Sequence, residues 1–242
     1  MIRMFKIKKI KTVHFLAKNS IIFILIFGLY TCTKEPTNTP VSVYCSIINE
    51  KLYSFSRLSD FEKNKFDELK KSRFLKYKND FIEAAQTFDI EWELLAAVAF
   101  QESQWNPKAR SATQVKGMMM LTLPTAASVG VTNRLDPIQS IYGGAQYISD
   151  LESKTNYGTS SGDKIAFILA SYNLGTTNIK NAIDAIDKKP IEVTWLDLEG
   201  YLLNLKTSMD SENYSRGQQT VDFVERVRDY YHLLLAQNCS DR

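Results

Sequence analysis

From about residue 57 to the end of the chain, apolar residues return with the spacing of a helix and nowhere alternate for long. Helical period in one stretch after another leaves no material for a large sheet, which restricts the fold to the all-α class. In FLKYKNDFIEAAQTF (74–88), one stripe holds Phe74, Tyr77, Phe81, Ala84, Ala85 and Phe88. A short break near Asp89 leads into EWELLAAVAFQES (91–103), and further helices are predicted over 136–154, 162–173, 176–188, 194–207 and 217–237. The first of these opens on Asp136 and Pro137, a capping side chain followed by a first-turn proline. Residues 105–123 are predicted to be irregular or briefly strand-like, so any β element is minor. Nothing repeats and no second domain is evident. A chain of 242 residues, 44% of them hydrophobic, has enough apolar material for one substantial core. The expected organisation is one domain over 57–242.

The first 31 residues do not belong to that core. Arg3, Lys6, Lys8, Lys9, Lys11 and Lys18 come without an acid and precede the apolar run SIIFILIFGLY. The run falls short of the roughly 20 residues that span a bilayer comfortably. A basic segment followed by a short apolar one reads as a signal peptide over 1–31. It ends in LYTC, which resembles a lipobox and makes Cys32 the expected lipidated residue, with Thr31 departing from the usual small residue. Thr33 after it, rather than an aspartate, favours the outer membrane of a Gram-negative cell. Residues 32–56, which include TKEPTNTPVS, are expected to be a flexible tether.

Loss of the signal reverses the charge. The whole chain carries +3, and the six cations of the signal account for more than all of it, leaving −3. No basic face remains to suggest nucleic acid, so that partner class is excluded. With Cys32 lipidated, Cys45 and Cys239 stand near the two ends of the mature chain in an oxidising compartment. A disulfide between them and two unrelated thiols are both open. His14 and His232 are too few and too far apart for a histidine metal site or a catalytic dyad, so neither metal nor cofactor is expected.

The chemistry is expected at Glu102. Leu95, Val98 and Ala99 share its helical face, whereas Glu93 lies roughly opposite, so Glu102 should emerge from the apolar side in the last turn. Partial desolvation and the negative end of the helix dipole both raise a carboxyl pKa there. An acid poised near neutrality can donate and accept a proton, which suits glycosidic bond cleavage. A lone glutamate at a helix end is more often a solvated surface residue, but here no Asp or Glu follows from Ser103 to Arg134. A two-carboxylate glycosidase needs a second acid, and only Asp136 or a distant residue could supply it. The local pattern points to chemistry with a single carboxylate.

A second constellation is KIAFILASYNLG (164–175), where Tyr172 tops the stripe of Ile165, Ile168 and Leu169 and Asn173 and Gly175 close the helix. Asn and Gly are also ordinary helix-ending residues. Two helices that each end an apolar face in a polar group suggest a cleft. Met118, Met119 and Met120 are each better read as core fillers, or alternatively as an apolar wall for a sugar. Trp105 and Tyr172 offer stacking faces on the same condition.

ESQWNPKARSATQVKGMMMLTLPTA (102–126), DPIQSIYGGAQYI (136–148) and ASYNLG (170–175), followed by YSRGQQTVDFVERVRDYY (214–231), resemble in order the motifs of the soluble-lytic-transglycosylase-like domain. The likeness covers roughly residues 75 to 235, and the Gly-Met-Met-Met-Leu-Thr form is most similar to the F type of membrane-bound lytic transglycosylases. The resemblance implies a lysozyme-like α-helical fold acting on peptidoglycan glycan strands. Glu102 matches the acid/base that cleaves the bond between N-acetylmuramic acid and N-acetylglucosamine and leaves a 1,6-anhydro end. Ser111 matches a serine near the substrate's N-acetyl group. Tyr172 and Asn173 match residues that orient Glu102 and the glycan. Met120 takes a sugar-binding position, with Met118 and Met119 beside it. Gln114 and Val115 stand where many members have Gly-Ala, and Gln219 stands where a glutamate is expected. The F type also carries an N-terminal domain resembling a solute-binding protein, for which residues 33–73 are too short. The expectation is therefore a lipid-anchored periplasmic lytic transglycosylase. A goose-type lysozyme-like hydrolase using Asp136, and a glycan-binding scaffold without activity, are the alternatives.

Overall fold

The computed structural model describes residues 56–204 and 211–240, the side chains of 211–215 and 238–240 excepted. The signal, the anchor at Cys32, most of the tether and the Cys45–Cys239 pairing fall outside what is described. Helices dominate, and two isolated bridges, Arg110 with Lys116 and Lys116 with Leu121, are the β structure among the described residues. The expected all-α architecture with a minor β element is what these residues form.

The first helix, α1 (Asp60–Ser72), begins where Ser59 and Glu62 form a reciprocal cap: the Glu62 amide donates to the Ser59 hydroxyl and the Ser59 amide to the Glu62 carboxylate. A short 3₁₀ turn (Phe74–Lys76) leads to α2 (Lys78–Thr87). Asp89 then takes a left-handed conformation, φ 53°, before α3 (Trp92–Ser103). The polar loop that follows gives way to α4 (Leu123–Ser128), capped by Thr122 on the Thr125 amide at 3.1 Å and started by Pro124. In α5 (Pro137–Lys154), Asp136 accepts from the Gln139 amide at 2.9 Å, the cap that the Asp-Pro pair predicts. Next come α6 (Ser161–Leu174), α7 (Thr176–Asp184), a 3₁₀ turn (Pro190–Glu192), α8 (Trp195–Asn204) and α9 (Ser211–Ser240).

Two predicted helices change their bounds, and a third is described only in part. The helix predicted over 176–188 stops at Asp184, where the Ala185 amide donates back to the Asn181 carbonyl and a charged run leads to Pro190. The α8 helix is described only to Asn204, so the predicted 205–207 fall outside the described residues. The final helix runs beyond 217–237 at both ends.

The centre of the fold is α3, not an amphipathic helix on its edge. Every residue from Leu95 to Phe100 is buried, and Glu93, expected on the face opposite Glu102, is buried as well. A helix apolar on all sides needs neighbours all round it. The long α9, about 45 Å at 1.5 Å per residue, packs most extensively on α3 and also covers α6 and α8. On the other side, α2 and α5 close the core. The alanines at 96, 97 and 99 let these helices approach closely.

One aromatic cluster ties α1, α3 and α9 together. Phe66 stacks on Tyr230 with centroids 5.4 Å apart, and Phe100 meets Trp105 at 4.6 Å and Tyr230 at 4.5 Å. Such pairs add about 0.5–1.5 kcal/mol each beyond the area they bury. At the rim, Arg226 of α9 pairs with Glu62 of the α1 cap. The Ser59 amide and hydroxyl, both of which donate to it, and this cation hold the Glu62 carboxyl down at about 2.

Candidate active site

At its C-terminus α3 ends abruptly, and this sets the position of Glu102. Gln104 and Trp105 both adopt left-handed backbone, φ 52° and 56°, which costs a side-chain-bearing residue roughly 1 kcal/mol or more apiece. The strain is held by burial: Trp105 is fully enclosed against Phe66, Phe74 and Phe100, and its indole N–H donates to the Ala96 carbonyl at 2.8 Å. Trp105 is therefore the pin that turns the chain, and it has no face to offer a sugar. Glu102 is left in the last turn, partly buried, and its carboxylate makes no hydrogen bond or ion pair with any described residue. Burial alone drives its pKa up from the ordinary 4.5 to about 8. A carboxyl group like this is mostly protonated at neutral pH and able to release its proton.

No acidic neighbour contributes to that rise. A second carboxylate about 5 Å away, as in a retaining glycosidase, would add its own repulsion. Asp136, the acid a hydrolase reading needs, has an oxygen engaged as the cap of α5. Tyr172 of α6 lies close enough for a charged Glu102 to contribute to its pKa, which burial, first of all, raises well above the ordinary phenol value.

The methionine loop is sewn down by three hydroxyls, one from each of three helices. Ser103 of α3 donates to the Met118 carbonyl at 2.7 Å. The Met119 amide donates to the hydroxyl of Ser140 on α5 at 3.1 Å, and Tyr172 of α6 donates to the Met119 carbonyl at 2.7 Å. Just before them, Gly117 has φ 88°, and a Cβ there would lie 1.8 Å from the Arg134 carbonyl oxygen, so no other residue fits. Arg134 also donates to the Gln114 and Leu121 carbonyls, both at 2.8 Å. Gln114, which stands where the resembling family often has glycine, takes φ 67°, a conformation that glycine adopts with least strain.

For two methionines this placement agrees with the reading as core fillers and corrects the sugar contact that the resemblance implies. Met118 and Met119 are fully buried, with Met119 lying against Gly144, where a Cβ would come within 2.6 Å of its side chain. They fill the core, whereas Met120, at φ 45°, is partly exposed and alone of the three has surface to offer. Ser111 is partly buried, and its hydroxyl is engaged in its own turn, accepting from the Thr113 and Val115 amides at 3.2 and 3.3 Å. Asn173 is exposed and its amide oxygen accepts from the hydroxyl of Thr220 at 2.9 Å, which ties the end of α6 to α9. Gln219, where a glutamate was expected, is exposed beside Thr220.

Sequence reasoning missed Ser103, Ser140 and Tyr147. Tyr147 packs its ring 5.3 Å from that of Tyr172, whose other neighbour, Phe223 of α9, is stacked at 6.3 Å. Burial, and secondarily Asp150, raises the Tyr147 pKa. A signal for Ser140 was present, since a serine one turn into an otherwise apolar helix face needs a partner.

Residues 79–194 match the model of the Transglycosylase SLT domain. Over 194 residues the chain is 39% identical to a protein named membrane-bound lytic murein transglycosylase F from Shewanella loihica, an alignment that takes in 78% of this chain and 40% of that one. A protein of the same name from Photobacterium profundum is 42% identical over 169 residues, 68% of this chain and 31% of the relative. The chain thus spans less than half the length of these curated relatives. Among solved structures, the 70 kDa soluble lytic transglycosylase of Escherichia coli aligns with 18% identity and a TM-score of 0.48 over 81% of this chain and 29% of that one. Residues 79–194 therefore match the Transglycosylase SLT domain, and the chain is similar over more than two thirds of its length to proteins named membrane-bound lytic murein transglycosylase F.

Proposed function

We propose that the protein is a peptidoglycan lytic transglycosylase in which Glu102 is the single acid and base. The observation that carries this reading is the carboxyl group at the end of α3: partly buried, without a hydrogen-bond partner among the described residues, and raised to about 8 by burial alone. In its protonated form Glu102 donates to the glycosidic oxygen between N-acetylmuramic acid and N-acetylglucosamine as that bond breaks. The resulting carboxylate then takes the proton of the muramyl 6-hydroxyl while its oxygen attacks C1, closing the 1,6-anhydro ring and restoring the acid. Water is not consumed, so no second carboxylate is needed to activate it.

Tyr172 serves this chemistry by holding the Met119 carbonyl and packing beside Glu102, which keeps the acid in a dry setting. In this reading the partly exposed Met120 meets the glycan, and Ser111 and Asn173 contact it as well. The names of the relatives, which call them membrane-bound, support a membrane-associated setting, and the reading takes it to be the periplasm. The reading extends this to a signal over 1–31, an outer-membrane lipid anchor at Cys32, a tether over 32–56 and a catalytic domain over 57–242.

The test is incubation of the purified protein with peptidoglycan and mass spectrometry of the released muropeptides. Anhydro-ended muropeptides are expected, with turnover reduced about a thousandfold in Glu102→Gln. Reducing ends would support a hydrolase, and absence of any release would support a glycan-binding scaffold.

A further inference from the structure

The first turn of α3, the α6 and α9 helices and the start of α8 bound a cavity of about 460 Å³. It meets α3 at Leu94, about 12 Å along the helix axis from Glu102, and is separate from the candidate active site. The wall is mostly apolar: Leu94, Ile165, Leu169, Leu196, Val224 and the ring of Trp195. Leu169 and Val224 are buried, whereas Leu94, Ile165 and Trp195 are partly exposed and Leu196 is 74% exposed. Trp195 adds a polar demand, because its buried indole N–H has no acceptor among the described residues. A buried donor ordinarily has one. A peptide segment brings apolar side chains together with a carbonyl at every residue, and so meets both demands. A hydrocarbon ligand meets only the first.

Position and composition single out one such segment. Arg57 is tied to the rim of the cavity: its amide donates to the Asp229 carboxylate at 2.9 Å, and its guanidinium pairs with Glu225 at 3.3 Å. Glu225 lines the cavity and pairs in turn with Arg228, another lining residue, at 2.7 Å. The residues that lead up to Arg57 change character partway. TKEPTNTPVS (33–42) is polar, whereas VYCSIINEKLYSF (43–55) carries Val43, Tyr44, Ile47, Ile48, Leu52 and Phe55. A solvated linker does not carry large apolar side chains at that density. Thirteen residues extend to at most about 45 Å, several times the roughly 8–10 Å between packed helices. From Arg57 the segment therefore reaches every part of the cavity.

We propose that residues 43–55 of this chain dock in the cavity, with apolar side chains against Leu94, Ile165 and Leu196 and a backbone carbonyl accepting from the Trp195 indole. The docked segment braces α3 and α6 along the turns that precede Glu102 and Tyr172. It also shortens the tether. With Cys32 as the anchor proposed above, the span between lipid and domain becomes residues 33–42, at most about 36 Å. The docking is independent of the transglycosylase chemistry.

The experiment is hydrogen exchange read by mass spectrometry on the full chain in lipid nanodiscs. Amides of 43–55 are expected to exchange about a hundredfold more slowly than those of 33–42. Leu196→Asn changes a side chain that is 74% exposed among the described residues, where a polar substitution ordinarily costs little. It is expected to remove about tenfold of the protection at 43–55 and to leave α3 and α6 unchanged. Exchange of 43–55 as fast as that of 33–42 would overturn the docking, as would protection that Leu196→Asn leaves intact. A benzophenone photo-crosslinker in place of Leu196 gives a second reading, which stands even where Leu196→Asn disturbs the helices. Adducts to residues 43–55 of the same chain support the docking. Adducts to a second copy or to lipid, or no adduct at all, contradict it.

Discussion

Replacing Glu102 with glutamine should stabilise the protein, and by an amount that depends on pH in a defined direction. The folded carboxyl group titrates at about 8 against an ordinary 4.5. Between those values the unfolded chain has released a proton that the folded protein still holds, so wild-type stability falls as pH rises through the window and levels off above about 8. At pH 7 the gap is worth about 3 kcal/mol at 1.36 kcal/mol per pKa unit. The side chain is only partly buried, and screening by solvent reduces this to about 2 kcal/mol. Glutamine does not titrate and keeps the neutral polar shape. In a domain of this size 1 kcal/mol moves Tm by about 2–4 °C, so the variant should melt about 4–8 °C higher at pH 7 and level with wild type near pH 4. Thermal unfolding followed by circular dichroism at a series of pH values measures this. A Tm difference that does not change with pH, or a glutamine variant less stable at pH 7, would refute the idea that burial of this acid is a standing cost of function.

In the proposed mechanism the same group sets the pH dependence of turnover: kcat/KM on peptidoglycan should hold steady through neutrality and fall as pH rises through about 8, when the acid is lost; a profile that rises across that range would contradict the assignment. Tyr172→Phe removes the donor to the Met119 carbonyl, and should cost about 1–3 kcal/mol in urea unfolding with a larger loss in kcat than in KM. Gly117→Ala places a methyl group against the Arg134 carbonyl at a position of positive φ. It should destabilise by more than about 2 kcal/mol and expose the loop at 104–122 to limited proteolysis, whereas an unchanged cleavage pattern would show that the loop does not depend on this glycine.

The helices were legible where local chemistry announces them. Asp136-Pro137 opens α5 as such a pair should, and the stripe from Phe74 to Phe88 supplies the buried Phe74, Phe81, Ala84 and Ala85. Glu102 was legible for a reason only partly right. Its position in the last turn follows from the spacing, but α3 has no single apolar face, and burial of Leu95 to Phe100 on all sides is a tertiary fact that alanine content alone does not announce. The loop after Trp105 was the least legible part. Its clamps come from Ser103, Ser140 and Tyr172, which lie 15, 21 and 53 residues from the groups they bind. No local pattern carries such partners. The same distance explains the methionines: Met118 and Met119 are pulled under the helices by these bonds, and only Met120 is left near the surface.

The central claim is that one carboxyl group, with no activated water, breaks the glycosidic bond. Digestion of peptidoglycan in heavy-oxygen water, followed by mass spectrometry of the products, tests this most directly. The expected muropeptides are lighter by one water than hydrolytic products, free of the heavy isotope at C1, and lost together with turnover in Glu102→Gln. Heavy oxygen at C1, or unchanged product from the Glu102→Gln protein, would contradict it.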